Sequence, residues 1–177
     1  MRAILISFLS VFAIAVAGCS TNTNTAESQT TSDESCAFDQ SVQGVTAVSN
    51  GESAPTLTVA KDAVKPKELE ITDLCAGEGT EATVSDTVTV DYVGVAYNTQ
   101  QEFDASYDRG EPATFPLQQV IPGWTQGVAG MKPGGARLLR IPTDLAYGSS
   151  PPSKDVEGPL AFIVQLRSID SASPSSS

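Results

Sequence analysis

The sequence predicts an α+β fold in which several antiparallel strands pack against one short helix. Three observations lead there. Two segments alternate apolar and polar side chains with period two, and only one stretch, Pro122 to Val128, reads as a helix. The 177 residues allow one domain of ordinary size plus tails, with enough chain to bury a core.

Taken in chain order, Val42 to Ala60 carries weak strand signals and predicts an extra hairpin or an added edge. Lys67 to Leu74 (KELEITDL) predicts a strand. Thr87 to Val95 (TVTVDYVGV) sets Val88, Val90 and Tyr92 on one face and Thr87, Thr89 and Asp91 on the other, which is the pattern of a half-buried strand. Thr114 to Leu117 and Gly135 to Ile141 (GARLLRI) are further strands. Between them, Pro122 suits the first turn of the helix, where its missing N–H has no intrahelical partner to lose. Leu160 to Ile169 (LAFIVQLRSI) closes the series with Leu160, Phe162, Val164 and Leu166 aligned. There is no internal repeat.

The two ends read differently. Met1-Arg2 and the apolar run Ala3 to Gly18 outline a secretory signal peptide, shorter than the roughly 20 residues of a spanning helix. Its end, Val16-Ala17-Gly18-Cys19, resembles the bacterial lipobox, which implies lipidation of Cys19 and a membrane anchor. The plainer alternative is a cleaved signal followed by a chance cysteine. Residues 19–35 hold the cysteine and a Ser/Thr/Asn-rich tether with too little apolar surface to offset the entropy of ordering it. Residues 171–177 read as a similar tail. The organisation expected is therefore signal 1–18, tether 19–35, an N-terminal extension 36–70, the main domain 71–170 and the tail.

Composition removes whole classes of function. There are 21 acidic and 10 basic side chains and no histidine. Without imidazole, Ser-His-Asp and Cys-His machines and most zinc and iron sites are excluded, so neither metal nor cofactor is expected. A net charge of −11 argues against nucleic acid as a partner. With Cys19 set aside, Cys36 and Cys75 remain, and an exported compartment favours one bridge between them. Two unpaired buried thiols are the alternative.

From Ile71 to Asp170 a series of fragments occurs in order. They are Val90-Asp91-Tyr92-Val93-Gly94, Glu102-Phe103-Asp104-Ala105-Ser106 with Asp108-Arg109, and Val120-Ile121-Pro122-Gly123-Trp124 with Gly127 and Met131. Asp144-Leu145-Ala146-Tyr147-Gly148 and Leu160-Ala161-Phe162 follow. In this order and spacing they resemble the FKBP family of peptidyl-prolyl cis-trans isomerases. Each fragment alone would be ordinary: a lone tryptophan is usually core, Asp104 with Arg109 a surface ion pair, Asp144 to Gly148 a turn.

The resemblance implies a twisted antiparallel sheet wrapped around the helix and an aromatic pocket. Trp124 would be the floor for a substrate proline ring, with Tyr92, Phe103 and Phe162 as walls and Val120 and Ile121 at the rim. The Ile121 N–H would donate to a substrate carbonyl and the Tyr147 hydroxyl to the carbonyl near the isomerising bond. Asp104, bonded to Tyr92 and paired with Arg109, would steady the wall and touch the polarised carbonyl. The partners implied are proline-containing polypeptides and macrolide inhibitors; nothing in the sequence points beyond a monomer, and the lipobox-like end implies a place outside the cytoplasmic membrane.

That activity suits this composition. Peptide-bond rotation faces a barrier of roughly 18–20 kcal/mol because twisting breaks amide resonance. Xaa-Pro isomers are nearly balanced yet interconvert over tens to hundreds of seconds. A catalyst needs no nucleophile; it must bind the twisted amide better than either planar form. Two departures from the family pattern are visible. Ala113 stands where an aromatic is common, leaving one wall open or filled by a neighbour, and Ser149 to Pro159 is short and lacks the Ile-Pro-Pro lip. Altered substrate preference and macrolide binding are expected from these. A proline-binding chaperone with little turnover, and a purely structural β-domain, are the competing readings.

Overall fold

The computed structural model describes residues 36–170, so the signal segment, Cys19, the tether and the tail lie outside the described residues. Two antiparallel sheets are present. The first holds β1 (Asp39–Val42), β2 (Val45–Asn50) and β3 (Ser53–Val59) in that order. The second holds β4 (Glu70–Cys75), β5 (Thr87–Ala96), β6 (Glu102–Ala105), β7 (Ala113–Pro116), β8 (Ala136–Ile141) and β9 (Leu160–Asp170). Its order is β4-β8-β9-β5-β6, with β7 also paired to β5. Helix α1 (Pro122–Val128) occupies the span read from the sequence.

β5 and β9 form the spine, in register from Thr87 opposite Asp170 to Ala96 opposite Leu160, with one shift after Thr89. On the other edge of β5, β7 covers Thr87 to Val90 and β6 covers Val93 to Val95. The period-two pattern sorts side chains between two cores. Toward the helix go Val88, Val90, Tyr92, Leu139, Ile141, Leu160, Phe162 and Val164. Toward the opposite face go Val93, Val95, Ala136, Leu138, Ala161 and Ile163.

That opposite face is where the structure departs from the half-buried strand expected at 87–95. Beyond Thr89 both faces of β5 are buried, because the β1–β3 sheet packs across it. Val45, Ala47, Leu57 and Val59 complete the second core with Phe38. The weak strand signals of 42–60 are thus the hairpin β2–β3, which β1 just before it extends to a three-stranded sheet with an apolar face of its own. Asp91, polar on the covered face, stays satisfied: it accepts from Ser106 Oγ at 3.0 Å and Arg167 Nε at 2.6 Å.

The extension is fastened at two points. Cys36 is bonded to Cys75 on β4. Arg140, only 1% exposed, donates to Tyr97 Oη, Gln43 Oε1 and the Val64 carbonyl and pairs with Glu70. One buried guanidinium therefore ties the β1–β2 turn, the β3–β4 connector, β4 and the end of β5 together, its donors matched by acceptors as burial demands.

Helix α1 lies unusually close to β8. A Cβ on Gly123 would stand 2.4 Å from Ile141 Cγ2, and one on Gly127 2.8 Å from both δ carbons of Leu139. Two glycines one turn apart thus let the helix settle onto the sheet, with Trp124 between them in sequence. The helix end is satisfied by Arg137, whose Nη1 donates to the Gly127 and Ala129 carbonyls at 2.9 and 2.8 Å.

The cross-link closes a loop of sequence separation 39. Replacing both cysteines with alanine should therefore cost about 3–4 kcal/mol in urea unfolding, through the freed unfolded chain. Equal midpoints for wild type and the double variant would show that the bridge adds nothing to the docked extension.

Candidate active site

Five aromatic rings meet on the helix side of the sheet. Trp124, 4% exposed, is set edge-to-face against Tyr92 at 5.2 Å, Phe162 at 5.3 Å and Phe115 at 5.7 Å, with interplanar angles of 88°, 87° and 84°. Phe103 stands against Phe162 at 5.6 Å and 85°. Perpendicular rings place positive edges on negative faces, which stabilises each pair and holds an open box rather than a stack. The box encloses a pocket of about 270 Å³, closed by Val120, Ile121 and Gln119 on one side and by Tyr147 and Asp104 on the other.

The sheet register explains the assembly. Tyr92 and Phe162 lie on adjacent strands with Gly94 opposite Phe162. A Cβ at Gly94 would come within 2.7 Å of the Phe162 ring and 2.9 Å of Phe103. Glycine is required here because two rings occupy the space a side chain would take. Val120 and Ile121 are extended just before the helix, and Pro122 takes its first position. Among the described residues no acceptor within the protein takes the Ile121 N–H. Tyr147 follows the short turn Thr143–Leu145 and is 37% exposed, at the mouth rather than the floor.

The polar side of the pocket is a closed triangle. Tyr92 Oη donates to Asp104 Oδ2 at 2.5 Å, Arg109 Nη1 donates to Asp104 Oδ1 at 2.8 Å, and Arg109 Nη2 donates to Tyr92 Oη at 2.7 Å. The guanidinium also lies 5.5 Å from the centre of the Tyr92 ring. Burial pushes the Tyr92 phenol up to about 12, helped by its bond to Asp104 and opposed by Arg109. Tyr147 is raised as well, by burial first and then by the Asp104 charge. Both hydroxyls are therefore protonated donors at neutral pH. No group of three or more metal-ligating side chains is placed together among the described residues.

All nine pocket residues named from the sequence belong to this site. Tyr92, Phe103, Asp104, Val120, Ile121, Trp124, Tyr147 and Phe162 line it, and Arg109 stands behind Tyr92 and Asp104. Two residues were not anticipated. Phe115 supplies the wall next to Ala113, two positions on and on the same face of β7; the alternation Ala113-Phe115 was the signal for it. Gln119 lines the rim with nothing in its local pattern to announce it. No residue of 149–159 lines the pocket. A separate cleft of about 250 Å³ near Cys75, Lys132 and Arg137 has no aromatic lining and offers no comparable chemistry.

Comparison with known proteins agrees with this geometry. The model of the family described as FKBP-type peptidyl-prolyl cis-trans isomerase matches residues 78–167. A probable FK506-binding protein of Corynebacterium glutamicum is 46% identical over 102 residues, covering 57% of this chain and 86% of its own. The peptidyl-prolyl cis-trans isomerase Mip of Coxiella burnetii is 44% identical over 104 residues, and the match spans 57% of this chain but 44% of Mip. The crystal structure of FkpA from Escherichia coli superposes with a TM-score of 0.55 at 37% identity, covering 73% of this chain and 53% of that one. For AtFKBP13 the TM-score is 0.51 at 34% identity, over 60% of this chain and 97% of that one.

The raised phenols give a signed pH dependence. Unfolded tyrosine ionises near 10, while folded Tyr92 keeps its proton to about 12. Between those values the unfolded state has released protons that the folded state retains. Stability from this group is thus complete below about pH 10 and is lost as pH rises toward 12. Tyr97, Tyr107 and Tyr147 shift in the same direction. The urea midpoint should fall steeply above about pH 10, and less steeply in Tyr92→Phe; a flat midpoint there would contradict the burial of these hydroxyls.

Proposed function

The chain belongs to the FKBP-type peptidyl-prolyl cis-trans isomerases, and from that premise we propose how its own residues perform the reaction and where. The substrate proline ring lies on Trp124 between Tyr92, Phe103, Phe115 and Phe162. Enclosure by these rings removes water from the Xaa-Pro amide. A planar amide is the more dipolar form and loses more on leaving water, so the twisted form is relatively favoured. The observation that carries this is the perpendicular aromatic box around Trp124, roomy enough for one ring and its amide and open at a polar mouth.

The polar groups orient the chain. The unused Ile121 N–H holds a substrate carbonyl, and Tyr147 donates to the carbonyl beside the isomerising bond. Asp104 acts through Tyr92, fixing the wall together with Arg109, and its half-exposed carboxylate borders the pocket for contact with the polarised carbonyl. No proton needs to leave or join the substrate.

Around this chemistry the wider reading follows from the sequence. A signal segment and Cys19 within a lipobox-like end support an extracytoplasmic, lipid-anchored enzyme acting on exported polypeptides. Relatives named for binding FK506 support a macrolide-binding role for the same pocket. The chaperone reading rests on Ala113 and on the short loop 149–159; Phe115 supplies a wall beside Ala113, while no residue of the loop lines the pocket.

Magnetisation exchange between cis and trans forms of an Ala-Leu-Pro-Phe type peptide tests the proposal. Wild type should show fast exchange, and Phe103→Ala should lower kcat/KM by about 10–100-fold, roughly 1.4–2.8 kcal/mol of transition-state stabilisation. Peptide binding without accelerated exchange would instead establish a proline-recognising module.

A further inference from the structure

A second groove, of about 540 Å³, lies next to the proline pocket, and one wall of it belongs to the N-terminal extension. Lys65, Pro66 and Lys67, in the connector between β3 and β4, line it opposite the segment that follows Tyr147. The two recesses adjoin along the chain: Tyr147 lines the proline pocket, while Gly148 and Ser149 line the groove. An extended polypeptide advances about 3.3 Å per residue, and a substrate that leaves the pocket past Tyr147 meets Gly148 and Ser149 at the edge of the groove.

The wall is held in place. Lys65 Nζ donates to Asn98 Oδ1 at 2.7 Å, and Asn98 Nδ2 donates to the Glu157 carbonyl at 2.8 Å. Tyr97 N–H donates to the Pro159 carbonyl at 3.1 Å, which pins the far side of the groove to the end of β5. At Gly158, φ is +94° and a Cβ would stand 2.6 Å from Asn98 Nδ2, so the close approach depends on glycine. Pro66 is buried between the two lysines.

The charge is the informative part. Glu157 lines the groove and Asp144 an adjoining recess, yet neither lysine is within ion-pair distance of any carboxylate among the described residues. In a chain of net charge −11, this groove is lined by two ammonium groups without an ion-pair partner and by one carboxylate, Glu157, a local excess of positive charge.

We propose that this groove takes the flank of the polypeptide substrate, and that Lys65 and Lys67 select an acidic side chain a few residues from the isomerising proline. The proposal rests on the isomerase reading of the adjoining pocket. The lysines touch the substrate's flank and not the reacting amide, so they set specificity without entering catalysis.

The test uses magnetisation exchange on peptides that differ only in carrying Glu, Gln or Lys a few residues from the proline, on either side. The full chain is compared with Lys67→Gln and with Lys65→Glu/Lys67→Glu. In wild type, kcat/KM for the better-placed Glu peptide should exceed that of the Gln peptide by about two- to fivefold at low salt, and the lead should shrink as salt is added. Lys67→Gln should reduce the preference, and the double reversal should transfer it to the Lys peptide. The preference is read as the Glu-to-Gln ratio within each protein, so a change in overall turnover does not enter it. Equal rates for the three peptides in wild type, or a Glu preference that survives the double reversal, would overturn the groove assignment. Absence of exchange with the Gln peptide in wild type would instead overturn the isomerase reading, so the two failures are separate.

Discussion

Strand β5 is enclosed on both edges and on both faces, and each enclosure positions a different part of the molecule. β9 runs along one edge, and β7 then β6 share the other. Tyr92 points to the helix side with Val88 and Val90, while Val93 and Val95 point into the core shared with β1–β3. Fully burying each of these aliphatic side chains contributes about 1.5–3 kcal/mol, so the strand cannot slip by one residue without exchanging its two cores. The pocket inherits that rigidity. Tyr92 reaches Asp104 because the strand carrying one and the strand carrying the other are held in fixed register.

The site works with few polar groups, and three of them satisfy one another. Tyr92, Asp104 and Arg109 complete one another's hydrogen bonds, so the polar wall needs no water within the pocket to stay in place. The remaining walls are aromatic edges and faces. Catalysis of bond rotation asks for no more than this, which is why a chain with no histidine can be an enzyme. The N-terminal extension, fastened through Cys36–Cys75 and the buried Arg140, backs the sheet from the other side and carries Lys65 and Lys67 round to the neighbourhood of the pocket.

Much of this was legible before the structure, for reasons specific to particular residues. Period-two alternation marked the strands at 87–95 and 160–169, and Pro122 marked the helix start, because these are local signals. The ordered fragments from Tyr92 to Phe162 identified the pocket, since their spacing reflects one shared tertiary arrangement. What escaped was non-local. Nothing in the neighbourhood of Asp91 to Val95 shows that a second sheet covers their other face; Val45, Ala47, Leu57 and Val59 lie some forty residues earlier. Phe115 escapes for a related reason: Ala113 stands at the position where an aromatic is common, while the wall belongs to the strand face the two residues share. Nothing local to Gly94, Gly123 and Gly127 announces close packing, which only the rings and branched chains facing them reveal.

The central claim is that rotation is accelerated by enclosure of the amide and not by proton transfer. The most direct measurement is kcat/KM for cis-trans exchange as a function of pH and in heavy water. A rate that is flat between about pH 6 and 9, with a solvent isotope effect of about 1, is the predicted result, since both tyrosines hold their protons throughout and none moves in the rate-limiting step. A bell-shaped profile in that range, or a large isotope effect, would show a general acid or base at work and would contradict the account.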